Sequence, residues 1–238
     1  MKKVLFAAVA VFAFGVSNAQ EVKFGAKVGA NLATVKTTTP NVDGEAVTLP
    51  LDNKMLFGFH FGGFAEIGFS EKFSFQPELL VSLQGSKFEA SETETFGPNT
   101  YSYSIDQKLK TTYINVPLLA KYYATEKFFI NAGPQVGFLL SAKQDYTQTE
   151  TDNFSGSTTT ETTTTEGIDV KDSFKSIDFS LAAGAGYYFT ENIFAEVRYT
   201  FGLSNVAEKV SYNDGFTSFE YEPTAKNNVL QISVGYRF

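Results

Sequence analysis

The 238-residue sequence has no cysteine, no tryptophan and a single histidine, His60. It therefore has no disulfide framework, no zinc or iron–sulfur centre built on thiolates and no cluster of several imidazole ligands. Charged residues are sparse at 19%, and the balance is acidic, with a net charge of −7. No basic stripe is available to neutralise phosphates, which argues against nucleic acid as a partner. Apart from a short segment at the start there is no long apolar run, so the chain is not a bundle of membrane-crossing helices. Aromatic residues, by contrast, are plentiful, with 25 Phe and 12 Tyr. Together with many Gly and Thr, they point to an all-β chain.

Met1-Lys2-Lys3 precedes an apolar run over 4–16, followed by Ser17-Asn18-Ala19. A basic start, a short apolar core and small residues before Gln20 are the pattern of a secretory signal peptide over 1–19. Thirteen residues at about 1.5 Å each are too short to cross a hydrocarbon core of about 30 Å, so a membrane anchor is the weaker reading. No cysteine follows the cleavage point to carry a lipid. The exported chain is expected to run as one domain over 20–238.

Beyond the signal, apolar residues recur with period two in eight segments: 22–34, 56–67, 73–85, 111–123, 128–141, 177–189, 193–203 and 229–238. Segment 193–203 sets Ile193, Ala195, Val197, Tyr199 and Phe201 against Glu196, Arg198, Thr200 and Gly202. The apolar faces carry no charge. The opposite faces carry Lys23, Lys27, Lys121, Arg198 and Arg237 against Glu66, Glu78, Asp178 and Glu196, close to balance. Long connections (35–55, 86–110, 142–176, 204–228) alternate with short ones (68–72, 124–127, 190–192). This predicts an eight-stranded antiparallel up-and-down transmembrane β-barrel, with short periplasmic turns and four long outer loops. A soluble lipocalin-like barrel would turn the same apolar faces inward. Pro77, Pro117 and Pro134 fall inside proposed strands, where a closed barrel offers no free edge, and predict local bulges or strand ends.

The strand sequences FSFQPELLVS (73–82), YINVPLLAKYY (113–123), NAGPQVGFLLSAK (131–143), DFSLAAGAGYYF (178–189) and FAEVRYTFGLSNV (194–206) resemble the Bacteroidetes "porin family" of outer-membrane β-barrel domains, which includes PorT-like proteins. The resemblance covers essentially the whole exported chain, including the three prolines. It implies the outer membrane as location, and it is weakly informative about activity. Eight strands leave an interior that side chains fill, whereas aqueous channels need about 16. "Porin" here describes a fold rather than a conductance.

Several candidate sites follow. Lys27, His60, Glu66, Glu78, Lys121, Asp178, Glu196, Arg198 and Arg237 are expected to form a polar lumen network, because an unpaired charge there would cost several kcal/mol. A proton or ion path is the functional alternative. His60 is the one available imidazole base, and a rim enzyme acting on lipid would need it beside a Ser and an acid. A buried lumen histidine is the simpler reading, and no catalytic role, cofactor or metal site is assigned. Loop 142–176 holds ten Thr, including the run at 158–165, and seven acids, which predicts a mobile, solvated loop. The four outer connections carry about eight net negative charges, favouring a cationic ligand or a metal-bridged lipopolysaccharide surface. Leu230, Ile232, Val234, Tyr236 and terminal Phe238 resemble the β-signal that delivers barrels to their assembly machinery. Expected partners are therefore outer-membrane lipid, that machinery and an unidentified surface ligand. The function expected is a filled barrel with a structural or loop-mediated interaction role. A narrow pore, a PorT-like secretion component and a lipid-modifying enzyme are the alternatives.

Overall fold

The computed structural model describes residues 21–38, 52–213 and 218–238; the expected signal peptide and part of the first outer connection lie outside these residues. Eight antiparallel strands close on themselves in the order β1 (Val22–Thr38), β2 (Asp52–Gly68), β3 (Phe73–Phe96), β4 (Asn99–Tyr123), β5 (Phe128–Phe154), β7 (Ile177–Tyr188), β8 (Ile193–Gly202) and β11 (Thr224–Arg237). The β1–β11 and β4–β5 ladders complete the ring. Strand β6 (Ser157–Asp169) pairs with the outer half of β5, and β9 (Val210–Asn213) and β10 (Ser218–Tyr221) form a small separate hairpin.

The polarity of this ring is the reverse of a soluble barrel. Phe57 is 64% exposed, Phe179 53% and Ile232 52%, whereas Lys27, Glu78 and Arg198 are 4%, 1% and 1% exposed. Apolar side chains face outward and charges face the lumen, as a hydrocarbon surround requires. At the short-turn end, Phe73 lies against Tyr122 (ring centroids 5.0 Å apart), Tyr187 against Phe189 (5.6 Å) and Tyr236 against Phe238 (5.4 Å). These outward rings form an aromatic girdle at the level where amphipathic rings sit best.

The three short turns share one device. In Ser70-Glu71-Lys72-Phe73, Thr125-Glu126-Lys127-Phe128 and Thr190-Glu191-Asn192-Ile193, the first hydroxyl accepts the backbone N–H of the fourth residue, at 3.1, 2.9 and 2.9 Å. The Ser/Thr side chain thus starts each next strand.

The prolines produce neither bulges nor strand ends. Pro77 pairs with Leu118, Pro117 with Gln135 and Pro134 with Leu181, each on the following strand. Toward the preceding strand each opens a gap: pairing breaks between Phe64↔Glu78 and Ile67↔Phe75, between Pro77↔Leu118 and Leu80↔Asn115, and between Pro117↔Gln135 and Ala120↔Ala132. Register is unchanged across each gap. The missing N–H removes a bond on one side only, and the ring of strands absorbs it.

The outer connections also depart from expectation. Most of 86–110 is not a loop: β3 and β4 stay paired to Phe96↔Asn99, closed by Gly97 (φ 62°) and Pro98. Much of 142–176 is likewise a hairpin, running to Phe154↔Ser157 around Ser155 (φ 52°) and Gly156 (φ 80°). Two successive left-handed residues make the primed turn that matches strand twist. Low hydrophobicity predicts a mobile loop there, but Thr and Tyr are strong strand formers once a neighbouring strand is present.

Candidate functional site

The lumen is built in layers. Its centre holds Lys27 from β1, Glu78 from β3, and Glu196 and Arg198 from β8. Lys27 Nζ lies 3.0 Å from Glu78 and 3.1 Å from Glu196. The Arg198 guanidinium donates two bonds to Glu78 (2.8 and 2.7 Å) and two to Glu196 (2.9 and 2.7 Å). Gln76 donates to Glu78 and Asn131 to Glu196, both at 2.7 Å. Two cations and two carboxylates, each fully buried, therefore satisfy one another across the barrel. That is the arrangement a low-dielectric interior demands.

Toward the short turns lies a second group. Lys121 Nζ is 2.9 Å from Glu66 and 3.0 Å from Gln76 Oε1, and it sits 4.0 Å above the Phe129 ring. Tyr123 donates its hydroxyl proton to Glu66, and Arg237 reaches Tyr123 at 3.3 Å and Glu66 at 3.7 Å. Phe64, Phe129, Tyr188 and Phe194 pack around this group as an aromatic plug. Period-two alternation does not signal these rings, since they are apolar residues on the polar face. Each of the three Phe lies opposite a glycine: Phe64 on Gly25, Phe129 on Gly186 and Phe194 on Gly235. A Cβ at those glycines would fall 2.2, 2.2 and 2.3 Å from the ring, so only glycine lets the ring lie against the neighbouring strand.

On the other side of the central quartet, His60 Nδ1–H donates to Asn31 Oδ1 at 2.7 Å, and its Nε2 lies 2.8 Å from Ser233 Oγ. Asn31 in turn donates to Ser82 at 3.0 Å. Ser233, His60 and Asn31 have the connectivity of a nucleophile, a base and an orienting group. All three are nonetheless buried at 2% exposure or less, and none lines a cavity described for the molecule. Glu66 does not join them, being held by Lys121. Asp178 also stands apart from the ion pairs. Its carboxylate accepts from Asn227 at 3.0 Å and Ser204 at 2.8 Å, and among the described residues no cation pairs with it.

Described side chains pack across each end of the lumen. A cavity of about 580 Å³ at the short-turn mouth ends on Glu66, Tyr123 and Arg237. The outer end is covered by Val35, Leu109, Val206, Ala207 and Ala225, with Phe88, Val170 and Phe174 packed against them. Among the described residues, no group of three His, Asp or Glu side chains is arranged to hold a metal ion.

Outside the apolar band, β3–β6 continue as a four-stranded sheet. At its base Lys54 and Lys87 bond Glu89, holding that carboxyl down at about 2, and Lys110 bonds Asp145. Above this level the sheet's outward face carries rows of hydroxyls: Thr93–Ser102–Thr151–Thr160 and Ser91–Ser104–Thr149–Thr162. The opposite face carries Glu92–Tyr103–Glu150–Glu161 and Glu94–Tyr101–Asp152–Thr159.

An outward apolar belt, an aromatic girdle and a charge-balanced interior define a membrane-spanning β-barrel. The chain belongs to the outer membrane protein beta-barrel domain family, whose model matches residues 18–208, and its place is the outer membrane. Similar solved structures include OprG from Pseudomonas aeruginosa (15% identity, 92% of this chain and 97% of that one, TM-score 0.43) and Ail of Yersinia pestis (13%, 92% and 99%, 0.40). The outer membrane protease OmpT from Escherichia coli is also similar (12%, 91% and 97%, 0.37). No curated protein matches the sequence.

Proposed function

We propose that this barrel is a non-conducting, non-enzymatic outer-membrane protein that works through the strands it raises above the membrane. The observation that carries this reading is the contrast between its two polar surfaces. The lumen charges pair with one another or are hydrogen-bonded, and side chains pack across both mouths. By contrast, the outer sheet presents ordered polar faces to solvent over about 30 Å, at about 3.3 Å per residue. An interior sealed by its own side chains supports a scaffold, and the exposed sheet supports an interaction role at the cell surface. The finer placement among PorT-like proteins of Bacteroidetes rests on the strand sequences quoted above. A secretion role of that type would show as crosslinking to secretion components.

Planar-bilayer recording tests the sealed interior. Purified protein is expected to give no single-channel steps of porin size, and large reproducible steps would sink this reading. The last strand is proposed as the assembly signal. Tyr236 and Phe238 point outward beside one another at the end of β11, where the machinery that inserts barrels could grip them. Deleting Phe238 should lower the amount assembled in the membrane, and wild-type levels would reject the assignment.

A further inference from the structure

Strand β6 is a sheet edge with little of the usual protection over Ser157–Thr165. It pairs with β5 on one side, and among the described residues no strand pairs with the other. All 13 of its residues are exposed. Natural proteins blunt such edges with Lys, Pro or a bulge. From Ser157 to Thr165 this strand has none of these, and seven of its nine residues are Thr.

The turn fixes which backbone groups are left over. In a two-residue hairpin the flanking pair, here Phe154 and Ser157, is hydrogen-bonded, and bonded pairs then alternate along the ladder. Residues 159, 161, 163 and 165 therefore bond to β5. Thr158, Thr160, Thr162 and Thr164 turn their N–H and C=O groups to the open side. The side chains agree: Thr149–Thr162 and Thr151–Thr160 bring their hydroxyls to 3.3 and 3.2 Å, as the closer, non-bonded pairs should.

The charge on the sheet indicates what would dock. Glu150 and Glu161 stand directly opposite one another, an arrangement that destabilises a ladder. Glu92, Glu94 and Asp152 share their face, with Tyr101 and Tyr103 between them and no Lys or Arg in those rows. Burial, and after it the field of Glu150, Asp152 and Glu94, raises the pKa of the Tyr101 hydroxyl. A second copy of this chain would bring Glu161 and its neighbours against the same sign.

We propose that the open edge of β6 accepts an added strand from a partner polypeptide that carries Lys or Arg at alternate positions. Main-chain bonds to Thr158, Thr160, Thr162 and Thr164 would supply the pairing. The cationic side chains would lie beside Glu161, with Glu150 one strand further in, relieving the like-charge pair. The other side of the added strand would extend the hydroxyl face, which favours Thr or Ser there.

This inference rests on the outer strands being the working part of the molecule. Conductance in bilayers would sink that broader reading, whereas loss of edge binding would sink this one alone. The probe is a synthetic nonapeptide alternating Thr and Lys, with an alternating Thr and Glu peptide as control. Binding to the full barrel in detergent is read by fluorescence anisotropy. The Thr/Lys peptide should bind, weakening with salt, and the Thr/Glu peptide should not. Thr162→Pro removes an outward N–H without touching the β5 ladder, and it should weaken binding at least tenfold while leaving heat-modifiable gel mobility intact. Glu161→Gln should weaken it several-fold. Equal binding by Thr162→Pro would mean charge attraction without strand addition and would overturn the proposal, as would absence of binding. A Thr162→Cys disulfide dimer in the membrane would assign the edge to a second copy and likewise overturn it.

Discussion

Arg198 gives the sharpest quantitative test of the lumen. Its guanidinium is 1% exposed and donates four hydrogen bonds to Glu78 and Glu196. Arg198→Met keeps much of the volume but leaves two buried carboxylates facing Lys27 alone, with one uncompensated negative charge. Removing one partner of a buried pair costs about 3–5 kcal/mol. Adding Glu78→Gln to Arg198→Met leaves the Lys27–Glu196 pair intact at 3.1 Å and restores neutrality. The double variant should therefore be more stable than Arg198→Met alone, with a coupling of about 1–3 kcal/mol between the two positions. Urea unfolding of the detergent-refolded barrel measures both. A loss below about 1 kcal/mol for Arg198→Met, with no recovery in the double variant, would show that the quartet is hydrated and replaceable, and the argument for a sealed lumen would fail.

Other consequences follow from named contacts. Gly235→Val puts a Cβ 2.3 Å from the Phe194 ring and should destabilise the barrel by about 1–3 kcal/mol, whereas Gly156→Ala, with nothing within 4 Å, should cost only the strain of its positive φ. Unfolding midpoints for the two variants give the comparison. Although Ser233 lies 2.8 Å from His60, a serine-reactive phosphonate should not label the folded protein, because Ser233 is 2% exposed. Labelling that disappears in His60→Ala would turn the reading toward an enzyme.

Much of this architecture is legible in the sequence because a strand's two faces separate at period two. Ile193 to Phe201 shows this plainly: Ile193, Val197 and Phe201 point out, while Glu196 and Arg198 point in. The pairing of lumen charges depends on register across the ring, which no single strand encodes. Lys27 and Glu196 are 169 residues apart in sequence, and Glu78 and Arg198 are 120 apart. The aromatic plug is hidden for the same reason, since Phe194 reads as an error on a polar face until Gly235 is found opposite it. The Thr run misleads through its low hydrophobicity. Its strand character comes from β5 alongside it, whose Thr147, Thr149 and Thr151 match Thr164, Thr162 and Thr160.

The natural absence of cysteine makes the central claim directly measurable. Single-cysteine variants Ser82→Cys, fully buried in the lumen, and Thr162→Cys, on the open outer edge, are exposed on intact cells to a membrane-impermeant maleimide. A barrel sealed inside and working outside predicts rapid labelling of Thr162→Cys, and labelling of Ser82→Cys only after denaturation. Comparable labelling of Ser82→Cys on intact cells would show an open, water-filled lumen and contradict the account.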